Sequence, residues 1–170
     1  QVCGSGLRSV AAGYQAIKSN DSNVVIAGGQ ESMTNAPHVI NFRDSQKLEE
    51  TNLIDTMIKD GLWDAFNGYH MGVTAENVAT KWKITRQEQD NFALLSQMNA
   101  EKAQKENKFK DEIIPIKINE TIISSDGCVR SDTTLEKLQS LKSSFSDEGS
   151  VTAGNSSPLT DGATALLVCS

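Results

Sequence analysis

The sequence is poor in the residues that hold small secreted or metal-dependent proteins together: three cysteines, two histidines and three prolines in 170 residues. Cys3, Cys128 and Cys169 are odd in number and far apart. They form no disulfide framework and lack the close spacing of a structural zinc site, which only His38 and His70 could complete. The expectation is a reducing, cytoplasmic compartment and no metal. No lysine- or arginine-rich run occurs, and 16 basic against 22 acidic residues give a net charge of −6, which argues against a nucleic-acid partner. The longest unbroken apolar runs, Val24 to Ala27 and Ala165 to Cys169, fall far short of the roughly 20 residues of a membrane span. Evenly spread apolar residues and scarce proline argue against disorder. What remains is a soluble, globular chain of single-domain size, long enough to bury a core.

Leu7, Val10, Ala11, Tyr14 and Ile17 recur at helical spacing, which predicts a helix over 4–18 with one apolar face. Ser19-Asn20-Asp21 ends it, and Asn23 to Gly29 reads as a buried strand stopped by paired glycines. A helix followed at once by a continuous apolar strand suggests a parallel α/β sheet. No signal or transit sequence is legible, and the chain opens without Met almost directly into that helix. It is therefore expected to begin in mid-domain. From about 31 to 155 the composition turns polar. Short helices are predicted over 53–59 and around Leu135, Leu138 and Leu141, and a longer one over 73–82. Thr85 and Glu88 form a capping box for a helix to about Asn107, with Phe92, Leu95, Met98 and Ala103 as its apolar stripe. Ile113 to Ile118 contains Pro115 and reads as an edge strand. Asp161-Gly162 then turns the chain into a second buried strand, Ala163 to Val168. Cys169, at the end of its apolar run, and Cys128 are expected to be buried small hydrophobes.

Cys3-Gly4-Ser5-Gly6 places a thiol on the first turn of the first helix, beside unpaired N–H groups and the positive dipole end. Such surroundings favour the thiolate, the nucleophilic form. Gly4 and Gly6 permit a tight turn and close approach of an acyl group. On the residues alone two readings stand, a nucleophile or a buried structural thiol.

Gln1-Val2-Cys3-Gly4-Ser5-Gly6-Leu7 resembles the nucleophile segment of the thiolases, in particular the biosynthetic acetyl-CoA acetyltransferases. Seven further segments follow in that family's order: Ala27 to Met33, Ala36-Pro37-His38, Lys59 to Leu62, Gly68 to Gly72, Thr74 to Ala79, Val151 to Asn155, and Asp161-Gly162-Ala163. The resemblance covers essentially the whole chain. It implies a thiolase-like layered α/β fold, with 1–30 and 156–170 as parts of the N-terminal α/β domain. Residues 31–155 would be a large inserted loop domain for coenzyme A and oligomer contacts, and the C-terminal thiolase domain would lie outside these 170 residues.

By the same resemblance, Cys3 takes an acetyl group from one coenzyme A thioester, and the Cys3 amide helps stabilise the oxyanion. Claisen attack by a second acetyl-CoA then gives acetoacetyl-CoA and CoA, with thiolysis as the reverse reaction. Coenzyme A thioesters are the substrates and no cofactor is held permanently. Leu62, His70 and Met71 would line the pantetheine end, Arg130 would lie near the nucleotide, and Phe145, Ala153, Ser157 and Leu159 would pack along the cofactor. His70 reads as a pocket residue, not a general base, because the family's catalytic histidine lies in a Gly-His-Pro segment. Its acid/base cysteine lies in Cys-x-Gly-Gly-Gly, and an Asn-Glu-Ala-Phe segment helps position a water. None of the three segments occurs here, so these residues alone are not expected to complete turnover.

The loop around 38–52, rich in charge at Arg43, Asp44, Lys47, Glu49 and Glu50, resembles the segment through which biosynthetic thiolases form tetramers, which implies a homotetramer. His38 is expected to be structural or near that contact. Lys137 stands where relatives often carry a coenzyme-contacting serine, and Ser156 to Thr160 departs from the usual Ala-Ser-Gly-Leu-Asn. Competing readings are a degradative 3-ketoacyl-CoA thiolase and a non-catalytic acyl-CoA-binding homologue. A cysteine hydrolase is disfavoured, since no partner histidine with its own orienting acid can be picked out.

Overall fold

In the computed structural model, which describes residues 1–40 and 52–170, a 3-10 turn at Val2–Gly4 leads into helix α1 (Ser5–Lys18) and strand β1 (Val24–Glu31). Short strands β2 (His38–Val39), β3 (Ile54–Asp55), β4 (Trp63–Asp64) and β5 (Tyr69–His70) follow, with a π-helical turn at Met57–Leu62. Helices α2 (Met71–Trp82) and α3 (Arg86–Lys105) precede a hairpin of β6 (Ile116–Ile118) and β7 (Thr121–Ile123). Helix α4 (Leu135–Gln139) and strand β8 (Gly162–Cys169) complete the order. Packing divides the chain into two units, Gln1–Trp63 with Leu159–Ser170, and Asp64–Pro158.

In the first unit β1 and β8 pair antiparallel along their whole lengths, Val24 opposite Cys169 and Glu31 opposite Gly162. The parallel arrangement suggested by the sequence is thereby corrected. An apolar run reports that a strand is flanked by apolar surface, not which way its neighbour points. Helix α1 lies on β1 at buried Gly13, where an added Cβ would meet Val25 Cγ1 at 3.2 Å and Ala27 Cβ at 3.8 Å. The absent side chain sets the helix–strand distance, so small residues form the seat. Leu7 and Tyr14, expected on the packed face, are exposed, while Val10, Ala11 and Ile17 are half-buried.

The two strands were also expected to be buried, yet only Ala27 is. Ile26 and its partner Leu167 share the other sheet face and are 76% and 69% exposed among the described residues. Cys169 is exposed for the same reason, lying at the end of β8 opposite exposed Val24. Asp161 ties the entry of β8 to the segment after β1: Thr34 donates to it from its N–H (3.0 Å) and from its hydroxyl. Those Thr34 bonds, side chain first, hold the Asp161 carboxyl below its ordinary value.

The helix expected over 53–59 is instead β3, paired with β2, followed by the π-helical turn. Asp55 is the cause, since its Oδ1 accepts the Met57 N–H at 2.9 Å and turns the chain out of the strand. His38 stands opposite Asp55 in the pair, their side chains 4.0 Å apart. Of the loop 38–52, residues 41–51 lie outside the described residues.

In the second unit α2 stops at Lys83, which takes a left-handed φ of 55°. Thr85 then opens α3 with the expected capping box, its Oγ1 accepting from Glu88 N–H at 3.2 Å and Glu88 Oε2 accepting from Thr85 N–H at 2.7 Å. The face that α3 packs is not its apolar stripe. Asp90 is buried and Arg86, Ala93 and Gln97 are half-buried, while Phe92, Leu95 and Met98 are exposed. A buried ion pair has replaced aliphatic packing as the anchor of this helix. Leu138 of α4 is part of the small core, and β6 pairs antiparallel with β7 after Pro115, as an edge strand would. Cys128 is exposed in the segment between β7 and α4, which corrects its expected burial. No described helix is long and apolar enough to cross a membrane.

The β1–β8 pairing makes one sharp demand. A Cβ on Gly28 would stand 2.1 Å from the Thr164 carbonyl oxygen, whereas one on Gly29 would meet nothing nearer than Gly6 Cα at 3.8 Å. Gly28→Ala is expected to cost about 3 kcal/mol of stability, as backbone collisions in a packed sheet do, and Gly29→Ala under about 1 kcal/mol. Urea unfolding of the two variants checks this.

Candidate active site

Cys3 sits at the centre of the 3-10 turn that feeds α1, and its side chain is exposed. Gly4 N–H donates to Gln1 O at 2.9 Å and Ser5 N–H to Val2 O, so these donors close the turn and do not point at the sulfur. Val2, immediately before Cys3, has φ of 47°. A β-branched residue in the left-handed region is strained, and such strain persists only where the surroundings enforce it. A Cβ on Gly29 of β1 would stand 3.8 Å from Gly6 Cα, one turn into α1, at ordinary contact distance.

Elsewhere in the same unit Leu62 is half-buried at the end of the π-helical turn, and Leu159 is exposed where the chain re-enters the unit.

In the second unit His70 caps α2, and its Nδ1 accepts the Gly72 N–H at 3.0 Å. An imidazole that accepts at Nδ1 carries its neutral-form proton on Nε2, so Nε2 is the donor. The ring stacks on Phe145, centroids 4.9 Å apart and planes at 20°. Phe145 in turn covers Gly72, where a Cβ would fall 2.2 Å from its Cγ. His70, Gly72 and Phe145 thus form one interlocked group, with Met71 beside it and partly exposed.

Arg130 is exposed, and its backbone is anchored by Gln97, which accepts its N–H at 2.8 Å. Lys137 folds back on Asp132, bonding its carbonyl and carboxylate at 2.7 Å each. The Lys137 hydrogen bond, then its charge, hold the Asp132 carboxyl below its ordinary value. Ala153 and Ser157 are exposed on the loop after Val151. Its start is gripped by Glu76 of α2, which accepts Ser150 N–H at 3.0 Å, Ser150 Oγ at 3.0 Å and Val151 N–H at 2.8 Å. Among the described residues no group of three or more His, Cys, Asp and Glu is arranged to hold a metal.

Residues 1–170 match the family model for the thiolase N-terminal domain. The chain belongs to the thiolase family. It is 55% identical to acetyl-CoA acetyltransferase of Paracoccus denitrificans and 52% identical to that of Rhizobium meliloti, each match covering 99% of this chain and 44% of the relative. Among solved structures, human mitochondrial 3-ketoacyl-CoA thiolase in complex with CoA matches with a TM-score of 0.93 and 40% identity, over 99% of this chain and 43% of that one. The chain spans less than half the length of these thiolases. Its layered α/β fold is that of their N-terminal domain, as the eight ordered motifs implied.

Of the thiolase-motif residues, Cys3, Leu62 and Leu159 fall in the first unit, and His70, Met71, Arg130, Phe145, Ala153 and Ser157 in the second. Within the second unit His70 and Phe145 are in direct contact. Sequence reasoning missed the polar residues that fix the Ala153 loop: Glu76, Arg86 and Asp90. The i,i+4 spacing of Arg86 and Asp90 was the available signal, but it reads equally as a solvated surface pair.

Burial pushes the Glu76 carboxyl up, but donation from Ser150 and Val151 outweighs it, and the net direction is below its ordinary value of 4.5. A carboxylate with a lowered folded value stabilises above its unfolded value and loses that contribution as pH falls through the folded one. Thermal midpoints of the wild type are expected to drop below about pH 4.5, and Glu76→Gln should flatten that part of the profile. Midpoints measured between pH 7 and 3 test it.

Proposed function

We propose that this chain is the nucleophile-bearing part of an acetyl-CoA C-acetyltransferase. The observation that carries the reading is an exposed Cys3 on a strained turn at the head of α1, in a chain about half identical to acetyl-CoA acetyltransferases. The Cys3 thiolate attacks the carbonyl carbon of acetyl-CoA, a C–S bond forms, and the thiolate of CoA leaves with the electron pair. The carbanion of a second acetyl-CoA then attacks the acetyl-enzyme, expelling Cys3 and forming the carbon–carbon bond of acetoacetyl-CoA. Splitting one step into two acyl transfers lowers each barrier. The Cys3 N–H at the helix start serves the oxyanion in both. Proton transfer falls to residues outside these 170, since neither a Gly-His-Pro nor a Cys-x-Gly-Gly-Gly segment is in this sequence.

Leu62, His70, Met71, Phe145, Ala153, Ser157 and Leu159 are assigned to the coenzyme A thioester, and Arg130 to its phosphates. The Nε2–H of His70 suits a carbonyl or amide oxygen of the pantetheine arm, and the stacked Phe145 suits its apolar stretches. Residues 31–155 act in this reading as the inserted loop domain, and 38–52 as the contact of a homotetramer. A reducing, cytoplasmic setting keeps the exposed Cys3 as a thiol. No cofactor is held permanently.

A degradative 3-ketoacyl-CoA thiolase is the second reading, favoured by the 40% identity to the human mitochondrial enzyme. Thiolysis by the whole protein separates the two. The first reading expects acetoacetyl-CoA to be cleaved at least about tenfold faster than 3-ketohexadecanoyl-CoA, and Cys3→Ala to lower kcat about a thousandfold or more. The reverse preference favours the second, and coenzyme A binding without any cleavage leaves only a non-catalytic binder. Light scattering expects a tetramer.

A further inference from the structure

The loop that presents Ala153 is held from beneath by a carboxylate that the proposed chemistry does not use. Asp90 of α3 is fully buried, with 0% of its surface exposed. A buried carboxylate without partners is costly, so its bonds define what it is for. Its Oδ2 accepts from Arg86 Nε at 2.8 Å, and its Oδ1 accepts from Asn155 Nδ2 at 3.0 Å. Arg86 is itself consumed, donating from Nη2 to the carbonyls of Leu138 (2.6 Å) and Leu141 (3.0 Å) at the end of α4.

Asn155 spends its remaining capacity inside the loop. Its Nδ2 also donates to Ser150 O at 3.1 Å, and its Oδ1 accepts the Thr152 N–H at 2.7 Å. Thr152 is fully buried too, its hydroxyl accepting from Gly154 and Asn155 N–H and its carbonyl accepting from Ser156 Oγ. The inner side of the turn is therefore saturated, and Ala153 and Ser157 are left facing outward.

We propose that Asp90 is a positioning residue: through Asn155 it fixes the 150–156 turn in the one conformation that presents Ala153 and Ser157 to a coenzyme A thioester. This rests on the assignment of that loop to coenzyme A. Asp90 touches no substrate, and only an acid suits the place. Both faces of its carboxyl meet donors, Arg86 Nε on one side and the Asn155 amide on the other, so Asp90→Asn sets an NH2 group against a donor. The effect falls on substrate binding and not on the acyl transfer at Cys3.

The test is steady-state thiolysis of acetoacetyl-CoA by the whole protein, with KM for CoA and kcat resolved. Asp90→Asn is expected to raise KM about tenfold, the scale of one buried mismatched donor, with kcat within about twofold. Asn155→Asp, which sets its carboxylate against that of Asp90, should act likewise. The double variant D90N/N155D restores a donor opposite an acceptor at that contact with the polarity reversed, while Ser150 O still loses its donor, so its KM should fall below that of Asn155→Asp without reaching the wild-type value. Thr85→Ala removes the α3 cap without touching the loop, so it should lower the melting temperature and leave KM unchanged.

If Asp90→Asn lowers kcat as much as it raises KM, or leaves KM at the wild-type value, the positioning role is overturned while the acyltransferase reading stands. If that variant does not fold, the double variant compared with Asn155→Asp decides: a KM below that of Asn155→Asp supports the proposal, and one equal to it or higher overturns it. A wild-type protein with no thiolysis overturns the functional reading and this proposal with it.

Discussion

The pairing of β1 with β8 is the constraint on which the first unit depends. It joins residues 24–31 to residues 162–169, so the chain leaves the sheet and returns to it around an excursion of some 130 residues. Closing so long a loop has an entropic cost that grows only slowly with its length, which is how a whole second unit can be accommodated between two paired strands. The pair must be tight at Gly28, where the Thr164 carbonyl occupies the place of a side chain. Through Gly13, which leaves room for Val25 and Ala27, the same sheet seats α1, and α1 carries Cys3 at its head.

The second unit is organised by charge. Glu76 and Asp90 project from successive helices onto one loop, Glu76 accepting from Ser150 and Val151 and Asp90 from Asn155 alone. Asp90 is buried and Glu76 half-buried, and buried ionic groups contribute little net stability compared with well-packed apolar residues. Their value lies in selecting one loop conformation, since every alternative leaves a buried acceptor without a donor. His70 and Phe145 use a different device, in which a glycine makes room for a ring and the ring fixes an imidazole.

Much of this was legible in the sequence. The α1 and α2 helices and the Thr85–Glu88 capping box follow from spacing and local side-chain chemistry, which are short-range. The thiolase motifs gave the family. What failed was tertiary. Apolar periodicity named Phe92, Leu95, Met98 and Ala103 as the buried face of α3, yet the first three are exposed and the helix turns Arg86, Asp90, Ala93, Leu94 and Gln97 inward, where Asp90 finds Arg86 and Asn155. Asn155 lies 65 residues away, and no local pattern announces it. Strand direction failed for a related reason, because alternation and apolar runs carry no sign. The 53–59 helix failed on one residue, Asp55, whose carboxylate captures a backbone N–H and bends the chain.

The central claim is that Cys3 is the acyl acceptor. Brief exposure of the protein to acetyl-CoA, an acid quench and peptide mass spectrometry test it most directly. The account predicts one acetyl group, on the peptide containing Cys3 and on neither Cys128 nor Cys169, and its loss when free CoA is added before the quench. An unmodified Cys3 peptide, or acetyl spread evenly over the three exposed thiols, would contradict it.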